Sequence, residues 1–142
     1  MVCRTIPGES MLAGAMSELG PADFSEMVAL AALTEPGPFR DGTGMLGGFL
    51  GIRIDGRLAA MAGRRLHPTG YVEVSAVCTH PEFRGRGYAL ALVAMVARGI
   101  HAEGMTPALT SFEANAGAVR IYEQAGFAVR RRFELAVVRP PS

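Results

Sequence analysis

The chain has 142 residues, with 14 basic and 13 acidic side chains and a formal net charge of +1. This length fits one compact domain. The balance of 49% hydrophobic against 19% charged residues excludes an intrinsically disordered chain. The near-zero net charge argues against a general nucleic-acid or anionic-membrane binder, since either class needs a basic excess.

Membrane, disulfide and metal signals are weak in this sequence. The uncharged run from Gly87 to Ala97 is shorter than the roughly 20 residues that cross a bilayer. The first residues also lack the apolar stretch of a secretory signal. Two cysteines, Cys3 and Cys78, do not form a disulfide framework, so we expect a cytoplasmic protein. The three histidines show no metal-ligand spacing, and we expect no metal.

Apolar periodicity and chain breakers predict an α/β domain over residues 21–142. Residues 1–20 contain four Gly or Pro breakers and predict a leader that is loosely ordered or partly helical. The elements predicted after the leader, in chain order, are a helix at 21–35 ended by Pro36-Gly37-Pro38, strands at 48–54, 57–62 and 71–78, a helix at 87–103, a strand at 107–112, a helix at 115–125 and an extended segment at 127–138. The first two strands form a hairpin through Asp55-Gly56, because an Asp-Gly pair suits a two-residue turn.

The loop between the third strand and the second helix is the strongest candidate site. It reads Arg84-Gly85-Arg86-Gly87-Tyr88-Ala89. A glycine-rich turn at a helix N-terminus presents free N–H groups and the positive end of the helix dipole, which suits a phosphate. The loop has neither a Walker A sequence nor Rossmann glycine spacing. The alternative is an ordinary solvated loop.

A second candidate segment runs from Asn115 to Phe127. Asn115 is placed to cap the third helix, Tyr122 lies on its apolar stripe, and Gly126 suits a left-handed C-terminal cap. Without other information, a helix cap and a core tyrosine explain this segment.

Together, the two segments resemble the GNAT superfamily of N-acetyltransferases. Arg84-x-x-Gly87-x-Ala89 is similar to the signature that binds the pyrophosphate of coenzyme A (CoA) in that superfamily. The segment 115–127 resembles its second motif, in the same order and at a similar separation. The stretches 81–89 and 121–127 look most like the FR47-like branch. The resemblance covers about residues 21–138.

The resemblance implies a GNAT fold, which is a mixed, mostly antiparallel sheet with helices on both faces. Such a domain usually begins with a strand and a helix before the helix predicted at residue 21. The leader looks too short and too glycine-rich to supply both. We therefore expect a sheet without its first strand, with the exposed edge covered by a second chain in a homodimer. The alternative is that the chain is a fragment of a longer protein.

The resemblance also implies acetyl transfer from acetyl-CoA to a primary amine by direct attack in a ternary complex; the acceptor is left open. The pantetheine would lie in a gap between the strand that ends at Cys78 and the strand that begins near Pro107. The implied cofactor-binding residues are Val77, Cys78 and Thr79 for the pantetheine, Arg84, Gly85, Arg86, Gly87, Tyr88 and Ala89 for the pyrophosphate, and Asn115 for the cofactor arm. Tyr122 matches the tyrosine that protonates the departing thiolate, where a hydroxyl offsets the developing charge.

The general base is less certain. Glu73 lies on the third predicted strand, at an offset from Arg84 similar to that of the base glutamate in the histone-acetyltransferase branch. The alternative is that Glu73 pairs with an arginine on a neighbouring strand, such as Arg53 or Arg64. Glu35, at the end of the first helix, is a weaker candidate because superfamily members often recognise acceptors there.

Three further possibilities receive less weight. Cys78 with His80 suggests a nucleophile pair, but a buried core thiol is favoured. The run 130–132, three arginines, suits an acidic acceptor or the 3′-phosphate of CoA, although a solvated strand edge is the commoner case. A non-catalytic CoA-binding or partner-regulating module is the alternative to an enzyme, and a nucleic-acid or membrane partner is not expected.

Overall fold

A single open sheet organises the molecule. The computed structural model describes residues 1–36, 39–40, 42–136 and 138–141. Its strands are β1 (Val2–Cys3), β2 (Met16–Leu19), β3 (Phe49–Ile54), β4 (Arg57–Arg64), β5 (Tyr71–Thr79), β6 (Thr106–Ala108) and β7 (Phe127–Ala128). They follow the spatial order β2-β3-β4-β5-β6-β1-β7, in which β5 and β6 are parallel and the other paired neighbours are antiparallel.

Helices cover both faces of this sheet, as the sequence predicts. The helices are α1 (Phe24–Thr34), α2 (Tyr88–Ala102) and α3 (Ala116–Gln124). One core cluster joins α1 to Met61 on β4, and the other joins α2 to Ala60, its neighbour on the opposite face of the same strand. The α/β fold with a mostly antiparallel sheet is therefore confirmed.

The β3–β4 hairpin forms as predicted. Asp55 and Gly56 have φ angles of 50° and 77°, the left-handed pair that a tight turn with the twist of the flanking strands requires. The helix predicted at 87–103 is also present, and four residues on it, Leu92, Val93, Ala97 and Ile100, are fully buried.

The first helix is shorter than the predicted 21–35 segment. A 3-10 turn at Pro21–Asp23 precedes α1. The helix ends at Thr34, and its C-cap, Glu35, has a left-handed conformation with φ 49°. Gly37 and Pro38, part of the predicted terminator, lie outside the described residues.

The leader is more ordered than the sequence predicts. It contributes β1 and β2 to the sheet, with a 3-10 turn at Ala13–Ala15 between them. Because β2 pairs with β3 along Met16 to Leu19, the sheet does have a strand before α1, which corrects the expectation that this strand is missing. The α-helix that such domains usually have before residue 21 is not found among the described residues of the leader. The homodimer that would cover an unfilled edge stays a prediction.

The C-terminal part departs from the predicted strands. β6 stops at Ala108 rather than Phe112, and of the described residues in the predicted 127–138 segment, only Phe127–Ala128 form a strand. The position between β6 and β7 is taken by β1, since Val2 pairs with both Ala108 and Ala128. The following tail leaves Phe133 and Leu135 more than 60% exposed. The long final strand is therefore corrected: among the described residues after Ala128, none belongs to the sheet.

Candidate functional site

The loop before α2 has the backbone shape that its sequence predicts. Gly85 and Gly87 have φ angles of 77° and 78°, which an L side chain rarely adopts. A Cβ built on either glycine would find no heavy atom within 4 Å, so the space in front of both is open. Phe83 is buried and anchors the start of the loop, with the Arg86 guanidinium 5.3 Å from its ring. The loop is thus held at its base and open at its tip.

The start of α2 presents unpaired N–H groups at this open space. The first hydrogen bond of the helix joins the Ala91 nitrogen to the Gly87 oxygen at 3.1 Å. The N–H groups of Tyr88, Ala89 and Leu90 come before that bond and have no intrahelical acceptor. Gly87, as the N-cap, supplies no side-chain cap. With the positive end of the dipole of a 15-residue helix, these groups have the chemistry that suits an anion.

Strand β5 leaves an unpaired edge beside this loop. Its pairing with β6 covers only Tyr71 to Glu73, whereas β5 continues to Thr79. Ala76 lies in a left-handed conformation with φ 53° and the β4–β5 register shifts there, which is a bulge that bends the strand. The predicted gap beside Val77, Cys78 and Thr79 is therefore present in the backbone. The Thr79 hydroxyl oxygen is buried without a hydrogen-bond partner.

Helix α3 places Tyr122 on the same face of the sheet as α2. The Asn115 side chain accepts a hydrogen bond from the Ala118 nitrogen at 3.2 Å and so caps the helix. The Tyr122 ring lies 6.4 Å from that of Phe127 and packs against the core cluster that Val77 and Tyr88 also contact. Burial raises the pKa of the Tyr122 phenol above its ordinary value of 10.0, so the phenol is a proton donor at neutral pH.

Glu73 is engaged in an ion pair. Its two carboxylate oxygens accept hydrogen bonds from Nε and Nη2 of Arg65, both at 2.8 Å. The arginine is therefore neither Arg53, which pairs with Asp23 and Glu26, nor Arg64, which pairs with Glu103. Glu73 alternates along β5 with Val72 and Val74, which belong to the α2 core cluster. Its side chain thus points to the opposite face of the sheet from Tyr122.

Glu35 lies on the α1 side of the sheet. It is exposed and borders a cavity of about 580 Å³, together with Phe39 and Arg40. Ala31, in the last turn of α1, belongs to the same core cluster as Cys78, so the end of α1 lies beside the end of β5. The cavity is therefore near the unpaired part of β5.

Cys78 has the properties of a core thiol. It is buried, and burial raises its pKa to about 11. His80 is not a base for it, because the His80 Nδ1 accepts a hydrogen bond from the Glu82 nitrogen. A thiol in this state is a poor nucleophile at neutral pH, since the thiolate is the reactive form.

We expect Cys78 to resist alkylation in the folded protein. Iodoacetamide at about pH 8 should leave the native thiol unmodified, because the raised pKa and the burial both keep the thiolate fraction low. The same reagent in urea should label Cys78, which serves as the control, and mass spectrometry of the peptide distinguishes the two states. Rapid labelling of Cys78 in the native protein would instead support the interpretation of Cys78 as a nucleophile.

Two of the three arginines after β7 have surface partners. The Arg130 guanidinium lies 5.5 Å from the Tyr71 ring, and Arg132 forms an ion pair with Glu113. The strand edge predicted for this run is absent, because β7 ends at Ala128. In the described part of the chain, there is no group of three or more metal-ligating side chains, and no helix is long and apolar enough to cross a membrane.

Comparison with known proteins identifies the family. The profile of the FR47-like protein family matches residues 49–136, more than half of the chain. The chain belongs to the FR47-like branch of the GNAT superfamily. A protein from Novosphingobium aromaticivorans assigned to the GNAT family of acetyltransferases is 46% identical, with a TM-score of 0.85 over 92% of this chain. The match spans 58% of the Novosphingobium chain.

More distant structures share the GNAT fold. The ribosomal-protein-S18-alanine N-acetyltransferase of Escherichia coli is 20% identical, with a TM-score of 0.67 over 78% of this chain and 75% of its own. Rv2747 from Mycobacterium tuberculosis, solved in complex with CoA, is 13% identical, with a TM-score of 0.62 over 74% of this chain and 69% of its own. No curated protein matches this sequence.

Proposed function

We propose that this GNAT chain is an N-acetyltransferase that moves an acetyl group from acetyl-CoA to a primary amine by direct attack in a ternary complex. The observation that carries the proposal is the pair of left-handed glycines at the start of α2, beside the unpaired edge of β5. The loop supplies N–H groups for a pyrophosphate, and the strand edge supplies backbone groups for an extended pantetheine. The CoA complex of the structurally similar Rv2747 supports this choice of cofactor.

The residues present fit such a cofactor. The open space before Gly85 and Gly87 admits a phosphate, and Arg84 and Arg86 add positive charge beside it. Val77, Cys78 and Thr79 supply the unpaired strand edge, where the Thr79 hydroxyl lacks a partner. Asn115 caps α3 through its side-chain oxygen, which would leave its amide NH2 group to donate to the cofactor arm. Bound acetyl-CoA supplies the activated acetyl thioester.

Tyr122 is proposed as the general acid. In the transfer, a bond forms between the amine nitrogen and the acetyl carbon while the bond from that carbon to sulfur breaks. The Tyr122 hydroxyl donates its proton to the leaving sulfur, which offsets the charge that develops there. Its raised pKa keeps that proton in place at neutral pH.

Glu73 is proposed as the base that takes the proton of the amine, with Arg65 orienting its carboxylate. Replacing Glu73 with glutamine should lower kcat by about 100-fold, the lower end of what a positioned base contributes. Arg65→Met is the matched control, because it breaks the same ion pair and leaves the carboxylate in place. Equal losses in both variants would assign Glu73 a structural role in the ion pair only.

An amine-panel screen with detection of released thiol tests the function itself. Acetyl-CoA with small amines, peptides beginning with alanine and polyamines should give thiol release above the rate without amine. Tight CoA binding with no release for any amine would instead favour a non-catalytic CoA-binding or partner-regulating module.

A further inference from the structure

The leader forms one wall of a second cavity, which we call the leader cavity. Its volume is about 610 Å³, within the range of ordinary ligand sites. The walls are leader residues between 5 and 12, the N-cap and first turns of α2 from Gly87 to Ala94, and residues 124–126 at the end of α3. The GNAT signatures do not include any leader residue, and the FR47-like match begins only at residue 49.

This cavity opens onto the phosphate-binding loop. Gly87 is part of its wall and is also the N-cap of α2, next to the free N–H groups. In CoA, the pyrophosphate is bonded to the pantetheine on one side and to adenosine on the other. If the pantetheine runs from the loop along β5, the adenosine has to leave the loop in another direction. The leader cavity begins at the loop and offers the adenosine such a direction.

The wall chemistry suits a nucleoside. Most wall residues are apolar or glycine, and Ile6 and Met11 line the cavity although their side chains are largely exposed to solvent. When a flat aromatic base covers exposed apolar side chains of this kind, the burial of apolar surface stabilises the complex. Ser10 and Gln124 place polar groups on the same walls for the polar edge of a base.

The leader is held in place before this wall, within it and after it. β1 precedes the wall and is paired in the sheet on its two sides, the Pro7 carbonyl within the wall accepts a hydrogen bond from Arg98 on α2 at 2.7 Å, and β2, which follows the wall, pairs with β3. The contact between Pro7 and Arg98 joins residues 91 positions apart in the chain and fixes the leader against α2. A wall fixed in this way loses little conformational entropy when a ligand binds.

We propose that the leader cavity binds the adenosine end of CoA, so that the leader is part of the cofactor site. The proposal rests on the proposed function, because it takes the pyrophosphate to lie on the loop at residues 84–89. Arg98 is then a positioning residue that acts through the leader backbone.

Calorimetric titration with two ligands tests this proposal. CoA carries the adenosine, whereas 4′-phosphopantetheine lacks it. The double variant Ile6→Ser/Met11→Ser should weaken CoA binding by about tenfold, the loss expected when one or two apolar contacts with the ligand are removed. The variant should bind 4′-phosphopantetheine as the unchanged protein does. Both side chains are exposed, so the fold should tolerate the change. Leu66→Ser, at a similarly exposed site away from the cavity, is the control.

A second pair of variants tests the anchor of the leader. Arg98→Met should weaken CoA binding in the same selective way, and Arg98→Lys, which keeps a donor, should restore it. Unchanged CoA affinity in the double variant, or an equal loss for both ligands, would overturn the proposal. If neither ligand binds the unchanged protein, the loop at residues 84–89 is not a phosphate site, and the proposed function is refuted as well. Binding of both ligands with no effect of the leader variants refutes only the leader cavity.

Discussion

Replacing Gly87 with valine is expected to lower the affinity for CoA by about 100-fold, since each hydrogen bond to a charged group contributes about 1.5–3 kcal/mol and tenfold is about 1.4 kcal/mol. Gly87 has φ 78° and lies at the N-terminus of α2, where a β-branched side chain is strained and covers the free N–H groups. Calorimetric titration with CoA measures the loss.

Gly104→Val is the matched control for this change. Gly104 has φ 77° and, like Gly87, no heavy atom within 4 Å of an added Cβ, so the backbone strain is equivalent. It follows α2 at the end opposite the loop, and its substitution should cost stability but leave CoA affinity unchanged. A similar loss of CoA affinity in both variants would mean that strain alone, and not the phosphate site, explains the result.

The second large effect is expected from Tyr122→Phe. This variant should lower kcat by about 100-fold, the contribution of a positioned general acid, while the Kd for acetyl-CoA stays the same. Tyr71→Phe, at the far end of β5, removes a phenol outside the site and should leave kcat unchanged. An unchanged kcat in Tyr122→Phe would show that Tyr122 is not the general acid.

The pH dependence of the same reaction checks the role of the Tyr122 hydroxyl. Burial favours the neutral phenol, so its pKa lies above the ordinary value of 10.0. An acid is active in its protonated form, and the activity due to Tyr122 should therefore persist as pH rises and fall only above about pH 10. A loss of kcat near neutral pH that disappears in Tyr122→Phe would contradict this assignment.

Local signals explain what the sequence predicts well. The Asp55-Gly56 turn, the valine-rich β5, the apolar α2 and the capped α3 each depend on residues close together in the chain, and each is present. The glycines at 85 and 87 likewise predict a left-handed backbone, because few other residues adopt this conformation at low cost. Their position before a helix is sufficient to predict an anion site.

Long-range pairing explains what the sequence does not predict. β1 has only two residues, and its partners are more than 100 positions away, so no periodicity in the leader reveals it. Once β1 lies between β6 and β7, the strand predicted for 127–138 has no place beside β6. Choosing Arg65 as the partner of Glu73 likewise requires the register of β4 and β5, which the bulge at Ala76 shifts.

The leader cavity could not be predicted from the sequence either. Its walls come from three separated segments, and most of their residues are small or apolar, which is not a distinctive sequence feature. The sequence does not predict the contact of Arg98 with Pro7, because a single arginine on a buried helix suits many partners. Only the path of the leader from β1 to β2 brings these residues together.

Amide hydrogen exchange with and without acetyl-CoA tests the central claim most directly. The claim is that the N–H groups at the start of α2 hold the pyrophosphate. Saturating acetyl-CoA should slow exchange at residues 85–90 and along 77–79, because these amides gain acceptors and lose access to water. The turn at Gly56, which also has a left-handed glycine, should exchange at the same rate in both states. Binding of acetyl-CoA with unchanged exchange at 85–90 would contradict the account.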